Sequence, residues 1–471
     1  MFDRLMDMKN NNSVEIPVGH KFLINILIAC IFLDGFSVRG VVGFDFYYYY
    51  LIFLFAIISC IFIFKSIPSG PIWFKWFLGI FFLINIITSV LFNTFGFLII
   101  KQIAGILFSS FAYWCVFMLS KGNLKFIAKT YVNISYYESV YALVGLVSSM
   151  SGFFRFGVYG DAGNFLSLPK IYGSAEEPYF LAVSLIPAVY IHLHNLFSSN
   201  KIAAVKCGKL KGIITIMCFF LTGASSGYLA IFLMLAFLAY NKNLLNIRSF
   251  AMVVLPFFLA LVYFIFTLFS SNSKNFNLRV NDTWYAFFSD DAQSIKAERI
   301  NGSSFALFSN FKVASNSFKA NPISGSGLGT HELNYQRYFY ENFSADVIKR
   351  FVGELNKQDA NSTFLRLLSE TGLIGLSFFL YFVFSNLILR KQSVIKEDSM
   401  RFLVLFSQGI FVMLIMRLIR TGNYIGNGFF FFFFCYWAIK KVSDQSQNRQ
   451  ILSSTFYNDP IGLPKSNIII T

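Results

Sequence analysis

The sequence predicts an all-α polytopic integral membrane protein, with about twelve transmembrane helices and one large extracytoplasmic loop. Three observations predict it. Hydrophobic residues make up 56% and charged residues 13% of the 471, with a mean hydropathy of +0.60; soluble domains average about 25% charged. The apolar residues gather in runs long enough to cross ~30 Å of hydrocarbon, and they lack the strict alternation of a β-barrel strand. One long stretch, 271–363, has no sustained apolar run, and its ten Lys/Arg nearly cancel its nine Asp/Glu.

In chain order the expected spans are 22–38, 44–64, 72–92, 97–119, 132–154, 177–197, 211–223, 227–240, 249–270, 364–389, 402–419 and 424–439. The pair 211–223 and 227–240 is short for full spans and flanks Thr222-Gly-Ala-Ser-Ser-Gly227, as a re-entrant or broken unit would. Four regions follow: a transmembrane bundle over 1–270 of about nine spans, with an outer loop at 155–176; a periplasmic loop with short helices over 271–363; transmembrane helices over 364–440; and a cytoplasmic tail over 441–471. The first apolar run lacks a small-residue cleavage site and reads as an uncleaved span.

The net charge of +16 raises the question of nucleic acid. Its distribution answers that question in favour of topology. One set of short loops and the tail carries 21 Lys/Arg, whereas the opposite short loops carry Arg39, Arg155, Lys170 and Arg420. The positive-inside rule then places both termini in the cytoplasm and both 155–176 and 271–363 outside. The six cysteines show no CxxC or Cys/His spacing, so neither a disulfide framework nor a zinc site is expected.

The loop 155–176 runs into Ser174-Ala-Glu-Glu-Pro178, a helix start with Ser174 at the N-cap, Glu176 and Glu177 in the first turn and Pro178 near N1. Capping alone accounts for the two carboxylates; acid–base or acceptor-orienting work is the sharper alternative. An ionisable group at bilayer depth costs about 2.5–3.5 kcal/mol on insertion scales and therefore faces protein or water. Lys101, Glu138, Arg366, Glu370 and Arg417 are of this kind. Arg366 and Glu370 stand four apart and can pair. Arg417 and Arg420 stand three apart near the outer end of their span, where they suit either a phosphate-bearing ligand or lipid headgroups.

Within the large loop, 292–320 has moderate helical propensity, with apolar Phe305, Phe308, Val313 and Phe318. Short helices on the membrane face are expected, interrupted at Asn321-Pro322. The run Gly325-Ser-Gly327-Leu-Gly329 has the backbone to present N–H groups to an anion, but no Gly-Lys-Ser/Thr follows it. Arg279, Arg299, Arg337, Lys349 and Arg350 are the loop's candidate cations, and His331 is its one histidine, either inert or a base. Asn361 or Ser362 caps the following span and turns the positive end of its dipole outward, toward a place fit for pyrophosphate.

Asn321-Pro-Ile-Ser-Gly-Ser-Gly-Leu-Gly329, followed by Asn361-Ser-Thr-Phe-Leu-Arg-Leu-Leu-Ser-Glu-Thr-Gly-Leu-Ile-Gly375, resembles the O-antigen polymerase/O-antigen ligase superfamily. In that family a Pro-x-x-Gly-x-Gly-x-Gly run precedes a helix start and a Glu-x-Gly-apolar-apolar-Gly opening of a span. Ser174-Ala-Glu-Glu-Pro178 is similar to the Glu-Pro element of polymerase-type members. Where ligase-type members tend to carry His-Asn, this chain has Asn361-Ser362; where an arginine often follows the serine of the short-span pair, it has Ser225-Ser226-Gly227. Both departures favour polymerase. The resemblance implies glycosyl transfer outside the bacterial cytoplasmic (inner) membrane, from a glycan on undecaprenyl pyrophosphate to a hydroxyl of another lipid-linked repeat unit. It implies Arg155, Arg299 and Arg417 or Arg420 for pyrophosphate, and Glu177 for the base or for acceptor orientation, with His331 as the alternative base. It implies neither cofactor nor metal. Its partners are the lipid-linked glycan, membrane lipid and, as a candidate, a chain-length regulator. A ligase is the closer rival. A lipid-linked-sugar flippase is the more distant one, disfavoured by the lack of an internal repeat.

Overall fold

Where water is excluded, a backbone must satisfy its own N–H and C=O groups, so the apolar runs fold as helices. The computed structural model describes residues 15–41, 44–154, 156–158, 164–165, 168–197, 208–244, 302–350, 355–389, 394–395 and 397–457. Its helices are α1 Val18–Ala29, α2 Tyr49–Phe64, α3 Ile72–Leu91, α4 Phe97–Leu119, α5 Leu124–Met150, α6 Pro178–Phe197, α7 Lys209–Leu221, α8 Ser225–Asn241, α9 Gly302–Ala320, α10 His331–Asn342, α11 Ala345–Arg350, α12 Thr363–Ser385, α13 Asp398–Arg420 and α14 Phe429–Tyr457. Five of them (α3, α4, α6, α12 and α13) are long and apolar enough to cross a membrane, and α1, α2 and α8 are shorter apolar helices. The protein is an all-α membrane protein. The span expected at 249–270 lies outside the described residues.

The boundaries depart from expectation where local chemistry overrides hydropathy. The first run does not stay helical to residue 38: α1 stops at Ala29, a 3-10 turn occupies Leu33–Gly35, and β1 Ser37–Val41 pairs antiparallel with β2 Phe44–Tyr47. Val38 stands opposite Phe46, a β-branched–aromatic pair that favours a pleated ribbon. Helix α5 begins eight residues before the expected 132, because the Asn123 side chain caps it by accepting the Phe126 N–H at 3.0 Å. Helix α14 outruns the apolar segment and continues to Tyr457.

Helices α6 and α13 form the centre, with most residues of both buried. Their polar groups are matched to one another. Tyr190 on α6 donates to Gln408 on α13 at 2.9 Å, Asn241 of α8 donates to both, and Gln408 donates to the Ile388 carbonyl at 3.1 Å. A connected network of this kind avoids the cost of an orphaned amide at that depth.

Helix α12 is broken at Gly372, whose φ of 59° and ψ of −153° is a conformation essentially confined to glycine. The break strands backbone groups on both sides, and the 322–327 segment collects them. Ser326 and Gly327 donate their N–H groups to the Ser369 and Glu370 carbonyls at 3.2 and 2.8 Å; Leu373 and Ile374 donate to the Pro322 and Ile323 carbonyls at 2.9 and 3.1 Å. Gly325, at φ 67°, packs directly on the Glu370–Thr371 peptide. The N–H groups of Gly325, Ser326 and Gly327 are all spent on protein carbonyls. The glycine run is therefore a splint for a broken helix, and those three N–H groups are not offered to an anion.

The loop helices build a small apolar core of their own. Phe305, Phe308 and Val313 of α9 close on Tyr335 and Phe339 of α10, with Phe343 and Val347 behind them. Phe318 stays half-buried at the far end. Helix α9 stops at Ala320, one residue before the Asn321-Pro322 break that the sequence marks.

Candidate active site

Three chain segments converge at one end of the bundle: the approach to α6, the turn leading into α12, and the turn that joins α13 to α14. Hydroxyl groups fasten them. Ser362 caps α12 by accepting the Leu365 N–H and donates to the Leu418 carbonyl at 2.6 Å. Thr363 donates to the Thr421 carbonyl, and the Thr421 hydroxyl pairs with the Tyr179 phenol of α6. Gly422 lies so close to the Asp359 carbonyl oxygen that a Cβ would overlap it. Gly35 donates to the Ser174 carbonyl at 3.0 Å, and Asn427 donates to Asp34 at 2.7 Å.

The expected site residues fare differently. Arg155 and Arg299 lie outside the described residues. Arg417 is 1% exposed, and its guanidinium donates to the carbonyls of Asn423, Gly426 and Asn427 at 3.0, 3.0 and 3.3 Å, beside the Phe429 ring. It holds the α13–α14 turn in shape. Arg420, one helical turn on, is half-buried and makes no hydrogen bond or ion pair among the described residues; its charge reaches Tyr179 and Asp359. The two arginines, equal in the sequence, are thus unequal in place: the terminal nitrogens of one are bound by backbone carbonyls, while the other makes no hydrogen bond among the described residues.

Glu177 is exposed and is the residue immediately before α6, where its carbonyl accepts the Phe180 N–H at 3.0 Å. Pro178 is the first helical residue, as its missing N–H favours. Ser174 is not the cap. Glu138, on the neighbouring α5, takes both its N–H and its hydroxyl, at 2.7 and 2.8 Å. That contact explains a carboxylate at bilayer depth.

His331 is not a surface residue. It starts α10 with 0% exposure, its backbone N–H toward Glu370 and its Nε2 2.9 Å from Asn310 Oδ1. Both amide hydrogens of Asn310 are committed to carbonyls, Ala306 at 2.6 Å and Leu355 at 3.0 Å, which fixes its oxygen as the acceptor. His331 Nε2 therefore carries the proton and Nδ1 the free lone pair. Burial, helped by the Arg366 charge, lowers its pKa to about 3, so the ring is neutral at physiological pH.

Arg366 and Glu370 pair at 2.9 Å, as four-residue spacing allows. The remaining donors of Arg366 go to the Gly422 carbonyl and to Gln102 of α4, both at 2.9 Å, and its plane lies 4.3 Å from the centre of the Tyr424 ring. Tyr424 also lines an apolar groove of about 350 Å³ between α3, α12 and α14, walled by Trp73, Phe77, Phe81, Phe378 and Phe433. No group of three or more His, Cys, Asp or Glu side chains fit to hold a metal occurs among the described residues.

Two residues of this region escaped the sequence reading. Asp359 sits before α12 with its Oδ1 accepting the Asn361 N–H at 2.9 Å. Asp34 is buried at 4% exposure beneath the approach to α6. A run of two left-handed non-glycine residues, Ala360 and Asn361, follows Asp359 and carries no sequence mark, apart from asparagine's tolerance for that conformation.

Residues 212–380 match the family model described as O-antigen ligase. The match supports the O-antigen polymerase/ligase superfamily over that stretch, which holds α7 to α11 and most of α12, and with them His331, Asp359 and the Arg366–Glu370 pair. Its members are membrane glycosyltransferase-like enzymes of surface polysaccharide assembly, acting on lipid-linked glycans. No curated protein matches the chain.

Proposed function

We propose that this protein polymerises oligosaccharide repeat units carried on undecaprenyl pyrophosphate, at the outer face of the bacterial inner membrane and with both termini in the cytoplasm. The observation that carries the proposal is Arg420: a half-buried arginine where three chain segments meet, without a hydrogen-bonding partner among the described residues. Breaking a sugar–pyrophosphate bond leaves negative charge on the departing group, and a fixed cation in a partly dry site stabilises it. The apolar groove that ends at Tyr424 suits the polyprenyl chain. Arg155 and Arg299 join Arg420 on the pyrophosphate. Arg417 shapes the turn that presents Arg420, Glu177 orients the acceptor, and His331 acts from the interior as a positioning residue. A chain-length regulator remains a candidate partner.

Polymerase is preferred over ligase because Asn361-Ser362 stands where ligase-type members tend to carry His-Asn. The matched model is itself described as O-antigen ligase, and this favours ligase as the second reading. A glycan-ladder assay in cells separates function from fold. Arg420→Ala and Glu177→Gln, at wild-type protein level, are expected to shorten the ladder sharply, Arg420→Ala by the greater amount. Full-length ladders from both variants would remove both residues from the mechanism.

A further inference from the structure

We infer that the Asp359 carboxylate is the base that takes the proton from the attacking acceptor hydroxyl, at the junction it shares with Arg420, Tyr179 and Thr421. The inference rests on the transferase reading above and names the base that reading lacks.

Three neighbouring carboxylates are engaged. Glu370 is fully buried on Arg366, and Glu138 is buried on Ser174. Asp34 is enclosed and bound by Asn427. Glu177 is exposed and begins a helix. Asp359 is half-buried, its carboxylate hydrogen-bonded by the Asn361 N–H and by the Asn356 side chain, with no cation paired to it among the described residues. Three elements face it: α12 with the Arg366 charge, the end of α13 with the Arg420 charge, and α6 with the Tyr179 phenol.

The backbone around Asp359 is built at a cost. Ala360 and Asn361 both sit at φ 57°, and Asn356 at 56°. Alanine gains nothing locally from a left-handed conformation, which costs roughly 1–2 kcal/mol. The strain is held by packing, since the Asp359 carbonyl is seated on Gly422, where any side chain would collide with it. Strain over-determined by its surroundings marks sites where placement matters. The Asn361 amide nitrogen is buried and unpartnered among the described residues, which leaves a donor for a substrate oxygen beside the carboxylate.

The step balances as follows. The acceptor hydroxyl gives its proton to Asp359 while its oxygen forms a bond to the anomeric carbon of the donor sugar. The bond from that carbon to the pyrophosphate oxygen breaks, the electron pair leaves with the polyprenyl pyrophosphate, and Arg420 meets the charge. Asp359 then releases the proton to solvent. Burial raises the Asp359 pKa above the ordinary carboxylate value, against the Asn361 N–H and the Arg366 charge, which lower it. A base with a raised pKa accepts a proton more readily near neutrality.

The test uses the full-length protein in lipid nanodiscs, with lipid-linked repeat units extracted from cells deleted for this protein as the probe. The rate of elongation is followed against pH for wild type, Asp359→Asn and Asp359→Glu. Wild type is expected to show an acid limb above the ordinary aspartate value of about 4. Asp359→Asn is expected to lose that limb and to slow by ~10²–10⁴-fold at an unchanged unfolding midpoint. Asp359→Glu is expected to keep a displaced limb at reduced rate, and it decides the matter if the asparagine variant fails to fold. A wild-type rate in Asp359→Asn, or an acid limb unmoved in either variant, overturns the inference and leaves the transferase reading standing. No elongation by wild type overturns the transferase reading, and the inference with it.

Discussion

Ionisable side chains at this end of the bundle divide by whether the protein has already used their hydrogen-bonding capacity. Arg366 and Arg417 are spent on a carboxylate, an amide and backbone carbonyls. Arg420 and Asp359 keep capacity for something else. His331 is bound through Nε2 alone, and its neutrality has a measurable consequence. The folded ring titrates near pH 3 and the unfolded ring near 6.5. The unfolded chain therefore takes up the proton first, and stability is intact above pH 6.5 and falls as the pH drops from there toward 3. At pH 5 the loss from this one group is about 2 kcal/mol. Thermal unfolding of purified protein at pH 7 and pH 5 is expected to show the drop, and His331→Gln to show less of it. An equal drop in both would place the acid sensitivity elsewhere. The sequence marked Arg417 and Arg420 as a pair, but it held no sign of which would be saturated, because the partners are carbonyls of the 423–427 turn.

At the scale of elements, the two sequence signatures that carry the family resemblance turn out to be halves of one device. The Pro322-to-Gly329 run and the Ser369-to-Gly375 run exchange four backbone hydrogen bonds across the break in α12. Asn334 of α10 ties Ser317, Ser326 and Ser369 into the same joint, at 3.0, 2.6 and 3.0 Å. Gly372→Ala and Gly325→Ala are each expected to cost several kcal/mol, roughly the 1–3 kcal/mol of forbidden backbone plus a steric clash. Because both break the same joint, their combined cost should fall short of the sum. Unfolding or protease-resistance measurements on the two single variants and the double variant check this, and strict additivity would show two independent sites. Most of the helices were legible from apolar runs, and α3, α4 and α6 lie within a residue of expectation. The β1–β2 ribbon was not, since aromatic and β-branched residues satisfy a hydropathy window as well as they satisfy a strand. The splint role of the glycines was hidden because its partner carbonyls lie more than forty residues away.

For the whole molecule, the chain joins segments distant in sequence: the start of α6, the turn before α12 and the α13–α14 turn. The junction is polar and its backbone strained, and the α13–α14 turn also carries Tyr424, which lines the apolar groove. That pairing fits a substrate with a lipid tail and a charged head. The sequence located two of the three segments by their charges and caps; the third entered only through Arg420, because the role of Gly422 depends on where Asp359 lies. What is made at this junction is read from the surface glycan of a strain deleted for the protein. Single repeat units are expected at the cell surface, with long chains restored by the wild-type gene. Polymer retained on undecaprenyl pyrophosphate and absent from the surface glycolipid, or no repeat units at the surface at all, would contradict that expectation.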